Sequence, residues 1–86
     1  MDRERNLRRK FGWTPKQYDE MLESQSGVCA GCGRPPAGEK RLAVDHDHKT
    51  DEIRGLLCDG CNIALGGVED NPQTLLRLIQ YLMEAR

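Results

Sequence analysis

The sequence predicts a small α+β fold: a two-stranded hairpin and a short helix clamped by cysteines, with an N-terminal helix before them and a C-terminal helix after. Three observations carry this. Four cysteines fall as Cys29-x2-Cys32 and Cys58-x2-Cys61, with 25 residues between the pairs. Two short strand-like runs lie inside that gap. Helix-like segments with apolar stripes flank it on both sides. The chain has 86 residues, 37% of them hydrophobic, and only one Phe, one Trp and two Tyr. That is room for one core of modest burial, so a covalent or metal staple is expected.

The elements follow in order. Residues 2–11 permit a short helix, with Glu4 and Arg8 at i, i+4 and Leu7 and Phe11 on a shared face. Gly12 interrupts it. Thr14 is a good N-cap, Pro15 suits the first helical position, and Gln17 completes a capping box. Trp13 and Tyr18 occupy the staple positions around that cap and read as packing residues. Tyr18, Met21 and Leu22 form the apolar stripe, and Gly27 ends the helix. Residues 33–41 (GRPPAGEKR) are a loop by composition. Leu42 to Asp45 and Ile53 to Leu57 read as two strands of an antiparallel hairpin, joined by a polar loop. Cys61 to Leu65 reads as a short helix stopped by Gly66 and Gly67. Asn71 and Pro72 start the last helix. Its stripe of Leu75, Leu76, Ile79, Leu82 and Met83, widened by Leu78, serves the core by default, a partner, or both. The chain divides into a basic arm (1–12), a cysteine-stapled core (13–67) and a C-terminal helix (71–86), one domain over 1–86.

Two Cys-x2-Cys pairs have the spacing of two knuckles closing on one tetrahedral zinc ion. Two disulfides are the competing reading, but they need an oxidising compartment, and the basic N-terminus is followed by no apolar export segment. A redox dithiol needs only one pair. Gly31, Gly33 and Gly60 suit the tight turns of the knuckles. Cys29, Cys32, Cys58 and Cys61 around Zn²⁺ leave no open position, so the ion is structural. No run of about eighteen apolar residues exists, so no membrane span is expected. Formal charge is −1 with neutral histidines, and four thiolates with one Zn²⁺ take it to −3. Net charge therefore gives nucleic-acid binding no support. Its distribution says more. The first ten residues hold five basic side chains (Arg3, Arg5, Arg8, Arg9, Lys10) and two acidic ones. Such an arm is either a phosphate-contacting element or a solvated face.

Both histidines of the protein lie in Asp45-His46-Asp47-His48, between the cysteine pairs. Alone, this tetrapeptide is open to several readings: a second zinc site, a capping loop or a solvated turn. Asn62, directly after the last cysteine, adds an amide oxygen. A carboxylate and an amide oxygen are hard ligands suited to Mg²⁺ or Mn²⁺. The sequence thus holds a sulfur site for zinc and an oxygen site for a catalytic divalent ion.

The string VDHDHKTDEIRGLLCDGCNIALG between the two cysteine pairs, with the lead-in YDEMLESQSGVCAGCG, resembles the recombination endonuclease VII family, part of the wider HNH or ββα-metal nucleases. The resemblance covers roughly residues 11–83. It implies a zinc-stapled ββα-metal, HNH-like motif and a metal-dependent DNA endonuclease. By position, Asp45 and Asn62 would hold the catalytic ion, His46 would be the general base, and the four cysteines would hold zinc. His48 would bind phosphate, touch the metal or orient its neighbours. Arg54 and Lys49 join the arm as candidate DNA contacts, with a salt bridge to Asp47 or Glu52 as the alternative for Arg54. Asp47 reads as loop polarity. The resemblance implies products with a 5′-phosphate and a 3′-hydroxyl, a phage or prophage source, and action in the host cytoplasm. The junction-resolving member of the family is longer, with dimer-building helices, and is acidic where this chain has Leu65. A nicking or general DNA endonuclease is therefore expected, acting on DNA as a monomer or homodimer. The alternative is a non-catalytic zinc module that binds DNA or protein, and a redox or zinc-storage role is the third reading.

Overall fold

The computed structural model describes residues 12–85. The expected helix over residues 2–11 and the five basic side chains of the arm lie outside them. Among the described residues are three helices and one two-stranded antiparallel sheet, as the sequence predicts: α1 Pro15–Ser24, β1 Ala43–His46, β2 Ile53–Leu57, α2 Asp59–Gly67 and α3 Pro72–Glu84.

The start of α1 is fixed by its predicted capping box. The Thr14 hydroxyl accepts from the Gln17 N–H at 3.2 Å, and the Gln17 side chain accepts from the Thr14 N–H at 2.8 Å. Its end is a Schellman turn. Gly27 N–H donates to Leu22 C=O and Ser26 N–H to Glu23 C=O, both at 2.9 Å. The left-handed residue that opens this turn is Ser26, with Gly27 left-handed after it. The stop falls one residue before the glycine expected to make it.

Strand β1 begins one residue later than predicted and takes in His46, while β2 has its predicted bounds. Leu42, just outside β1, is buried and its carbonyl accepts from the Tyr18 hydroxyl. Tyr18, Cys29, Leu42, Leu56 and Leu57 are the buried centre, with Trp13, Met21, Leu22, Val44 and Leu65 packed around it. Trp13 and Tyr18 are thus packing residues. Helix α1 packs on β2, and α2 packs on both strands.

One polar residue ties α1 to the sheet. The Gln25 amide oxygen accepts from Leu56 N–H at 2.8 Å, and its nitrogen donates to Leu56 C=O at 3.0 Å and Val28 C=O at 2.9 Å. It stands in for a third strand along the free edge of β2. Gly55 makes room for it, because a Cβ there would lie 3.0 Å from the Gln25 oxygen. Gln25→Ala strands the N–H of a fully buried residue. We expect it to cost about 1–3 kcal/mol, read as a lower denaturant midpoint at unchanged slope.

Helix α2 starts two residues before the predicted Cys61. The Cys58 sulfur caps it, accepting from Cys61 N–H at 3.5 Å. The helix also runs through Gly66 and Gly67 rather than stopping at them. Glu69 and Asp70 are then both left-handed, and Asn71 caps α3 by accepting from the Gln73 and Thr74 N–H groups. These two residues turn the chain outward, and the default reading of the α3 stripe as core is corrected by the result. Leu75 is half-buried, but Leu76, Leu78, Ile79, Leu82 and Met83 are exposed.

Candidate nuclease site and metal centre

The four cysteines meet as the spacing predicts. All four are free thiols rather than disulfides, and their sulfurs lie within 4.8 Å of one another. The Cys32 and Cys58 sulfurs are 3.8 Å apart. Four sulfurs placed tetrahedrally at ~2.3 Å from one ion have that separation. Knuckle N–H groups already point at them: Gly31 and Cys58 each donate to the Cys29 sulfur at 3.3 Å. Burial pushes the Cys29 thiol up, but N–H bonds from Cys32, Cys58 and Gly31 outweigh it and bring it down to about 6. Cys61 receives the opposite treatment and is pushed up to about 12 by its Cys58 contact and by burial. Among the knuckle glycines only Gly33 is left-handed. Gly31 is needed for closeness instead, since a Cβ there would sit 3.2 Å from the Cys61 sulfur. The cluster is therefore positioned to hold one metal ion, and a four-thiolate donor set suits zinc.

The second constellation sits at the other end of the hairpin. Asp45 is buried, at 7% exposure, on β1 opposite Gly55. His46, next on the strand, is half-buried, and its ring lies 4.8 Å from that of His48. The pairing runs Asp45 with Gly55 and then His46 with Ile53, so Arg54 is the extra residue of a β-bulge. In an unbroken ladder Arg54 would pair with His46 and face away from Asp45. The bulge re-aims it. Its Nε donates to one Asp45 oxygen at 2.7 Å and its Nη2 to the other at 3.0 Å. Nη2 also reaches Asp70 at 3.4 Å, and Asp70 lies 3.9 Å from His48 Nε2. The hydrogen bond to Asp45 holds the Arg54 guanidinium still more firmly in its charged form. The expected alternative partners, Asp47 and Glu52, are not the ones Arg54 takes.

Asp47 instead closes the hairpin loop by accepting from Lys49 N–H at 2.7 Å and Thr50 N–H at 3.3 Å. The Lys49 bond, before the weaker opposing effect of burial, lowers its carboxyl below the usual range. Asn62 lies on the first turns of α2. Its side chain is exposed and hydrogen-bonds to no other described residue. An open cleft of about 560 Å³ runs beside the cluster, lined among others by His48, Lys49, Arg54, Asp70 and Asn71. Asp70 is the site residue that sequence reasoning missed. It belongs to no periodic pattern, and only the left-handed turn at 69–70 brings it to Arg54. Contacts thus run from Asp45 to Arg54, from Arg54 to Asp70, from Asp70 to His48 and from His48 to His46, with Lys49 on the cleft's rim, and among the described residues none joins Asn62 to this series.

The profile of the family described as recombination endonuclease VII matches residues 4–84, nearly the whole chain. The chain belongs to the recombination endonuclease VII family. Two phage relatives are similar to this member, both called Gene 59 protein. That of Mycobacterium phage L5 is 45% identical over 74 residues, covering 85% of this chain and 45% of the relative. That of Mycobacterium phage D29 is 47% identical over 73 residues, covering 84% and 44%. This endonuclease VII family chain therefore spans less than half the length of the curated relatives it matches. No helix among its described residues is long and apolar enough to cross a membrane.

Proposed function

We propose that the chain is a metal-dependent DNA endonuclease of the HNH type, with zinc as structural frame and Mg²⁺ or Mn²⁺ as catalytic ion. The observation that carries this reading is a histidine beside a buried carboxylate, on a strand whose neighbouring helix is anchored by a four-thiol cluster. The donor chemistry fits both ions. Four thiolates leave zinc no open position, and Asp45 and Asn62 offer hard oxygens to the second ion. A carboxylate has about four lone-pair sites, so two bonds from Arg54 do not exhaust Asp45. When bound, the divalent ion supplies charge stabilisation to the scissile phosphate and its leaving oxygen. His46 takes the proton of the attacking water as general base. His48 sits on the cleft wall, where it meets a phosphate or steadies His46. The products are a 5′-phosphate and a 3′-hydroxyl.

The test is a cleavage panel of linear duplex, plasmid, single strand, flap and four-way junction, each with Mg²⁺ or Mn²⁺. Nicking or double-strand cleavage of plasmid is the expected result. The engagement of Asp45 by Arg54 favours one second reading, a non-catalytic zinc module that binds DNA or protein. Failure to cut any substrate with either ion decides for it.

DNA contacts are assigned to Arg3, Arg5, Arg8, Arg9, Lys10 and Lys49. Deleting residues 1–10 should weaken DNA binding. It should also flatten the dependence of log affinity on log salt by about 0.9 for each phosphate that the arm neutralises. Anisotropy titrations at several salt concentrations measure this, and an unchanged slope returns the arm to solvent.

A further inference from the structure

We infer that Arg54 is a gate on cation entry at Asp45, and that Asp70 is the berth to which its guanidinium withdraws. Three observations lead there. The Asp45 side chain is only 10% exposed, and Arg54 grips both its oxygens, at 2.7 and 3.0 Å. A second carboxylate, Asp70, already stands 3.4 Å from the same Nη2. The backbone goes out of its way to put it there. Glu69 and Asp70 are consecutive non-glycine residues at φ 55 and 58, a conformation L-residues adopt singly and at a cost.

The inference rests on the reading of Asp45 as ligand to a divalent ion. Given that, Arg54 and the ion are like charges competing for one nearly dry carboxylate. Their mutual repulsion is strong where water screens little. A guanidinium swinging about its side-chain torsions keeps an ionic partner throughout, because Asp70 lies within reach of its outer nitrogen. The Arg54 fork therefore keeps the buried Asp45 charge neutralised and oriented until a divalent ion arrives. Asp70 lowers the resistance to the exchange. Arg54 is thus a positioning residue whose effect is on ion affinity.

The experiment is Mn²⁺ binding by calorimetry on the zinc-loaded protein without DNA, with zinc content and circular dichroism confirming the fold of each variant. Arg54→Gln should tighten Mn²⁺ binding by roughly tenfold or more, because the competing charge is gone. Asp70→Asn should weaken it by roughly threefold or more. In the Arg54→Gln background Asp70→Asn should have little effect, since there is no guanidinium left to receive. Unchanged or weaker binding by Arg54→Gln overturns the gate, and so does an Asp70→Asn effect of equal size in both backgrounds. Asp45→Asn separates the gate from the reading beneath it. If Asp45→Asn abolishes Mn²⁺ binding while Arg54→Gln fails to tighten it, only the gate falls. If Asp45→Asn binds as wild type does, the ligand assignment and the gate fall together. Should Arg54→Gln not fold, the unmutated protein decides. The Arg54 Nε–H resonance should shift and exchange faster as Mg²⁺ saturates, and a resonance that stays put overturns the proposal.

Discussion

His46→Ala is expected to lower DNA cleavage by about 10²–10⁴-fold, the usual contribution of a positioned acid–base group. Zinc content and thermal midpoint should stay close to wild type. The two halves of that result belong together. His46 ends β1 and is half-buried, outside the buried centre formed by Tyr18, Cys29, Leu42, Leu56 and Leu57. Truncating it therefore removes little packing. Plasmid nicking under saturating Mg²⁺ gives the rate, and metal analysis gives the zinc. A variant that cuts at the wild-type rate excludes His46 as the base and moves the search to His48, whose ring is 4.8 Å away. If cleavage and zinc are lost together, the effect is structural and says nothing for base catalysis.

Cys58→Ser should fail in the opposite manner. Cys58 is a member of the four-thiol cluster, the N-cap of α2 and the immediate continuation of β2. Structural zinc contributes roughly 10 kcal/mol or more of apparent binding free energy, most of which appears as folding free energy. The core beneath it has five buried residues among those described, and Leu56 and Leu57 lead directly into Cys58. Loss of one thiolate is therefore expected to release zinc and abolish cooperative unfolding, with activity lost as a consequence. Far-UV circular dichroism and metal content read both. A folded, active, zinc-free Cys58→Ser protein would show that the cluster is dispensable.

Much of this architecture is visible in the residues, for reasons that are local. Thr14, Pro15 and Gln17 act within one turn, so the start of α1 follows from them. The Cys-x2-Cys pairs are local as well, and their meeting requires only that the hairpin between them close. Helix ends are harder to place. A sulfur capping α2 has no counterpart among the usual oxygen caps, and Ser26 takes a left-handed turn that glycine normally supplies. The α3 stripe illustrates another limit. Periodicity reports which face is apolar but not whether anything covers it. At the site, Asp45 and His46 carry a legible signal only through the family string around them, since their tetrapeptide alone is open to several readings. The partnership of Arg54 with Asp45 and Asp70 does not. It depends on one unpaired residue in β2 and on a turn sixteen residues further along the chain, neither of which leaves a periodic trace.

The bulge has a consequence for how such a protein can diversify. From Ala43 to Asp45 the ladder is regular, and this is the half nearest the cysteines. The irregularity lies beyond, between there and the loop. Absorbing a one-residue shortening of the tip at this point would pair Arg54 with His46 and turn it away from Asp45, while the ladder at the sulfur end kept its register. The tip is therefore the half of the hairpin that tolerates least change in strand length, because the placement of Arg54 against Asp45 hangs on one unpaired residue.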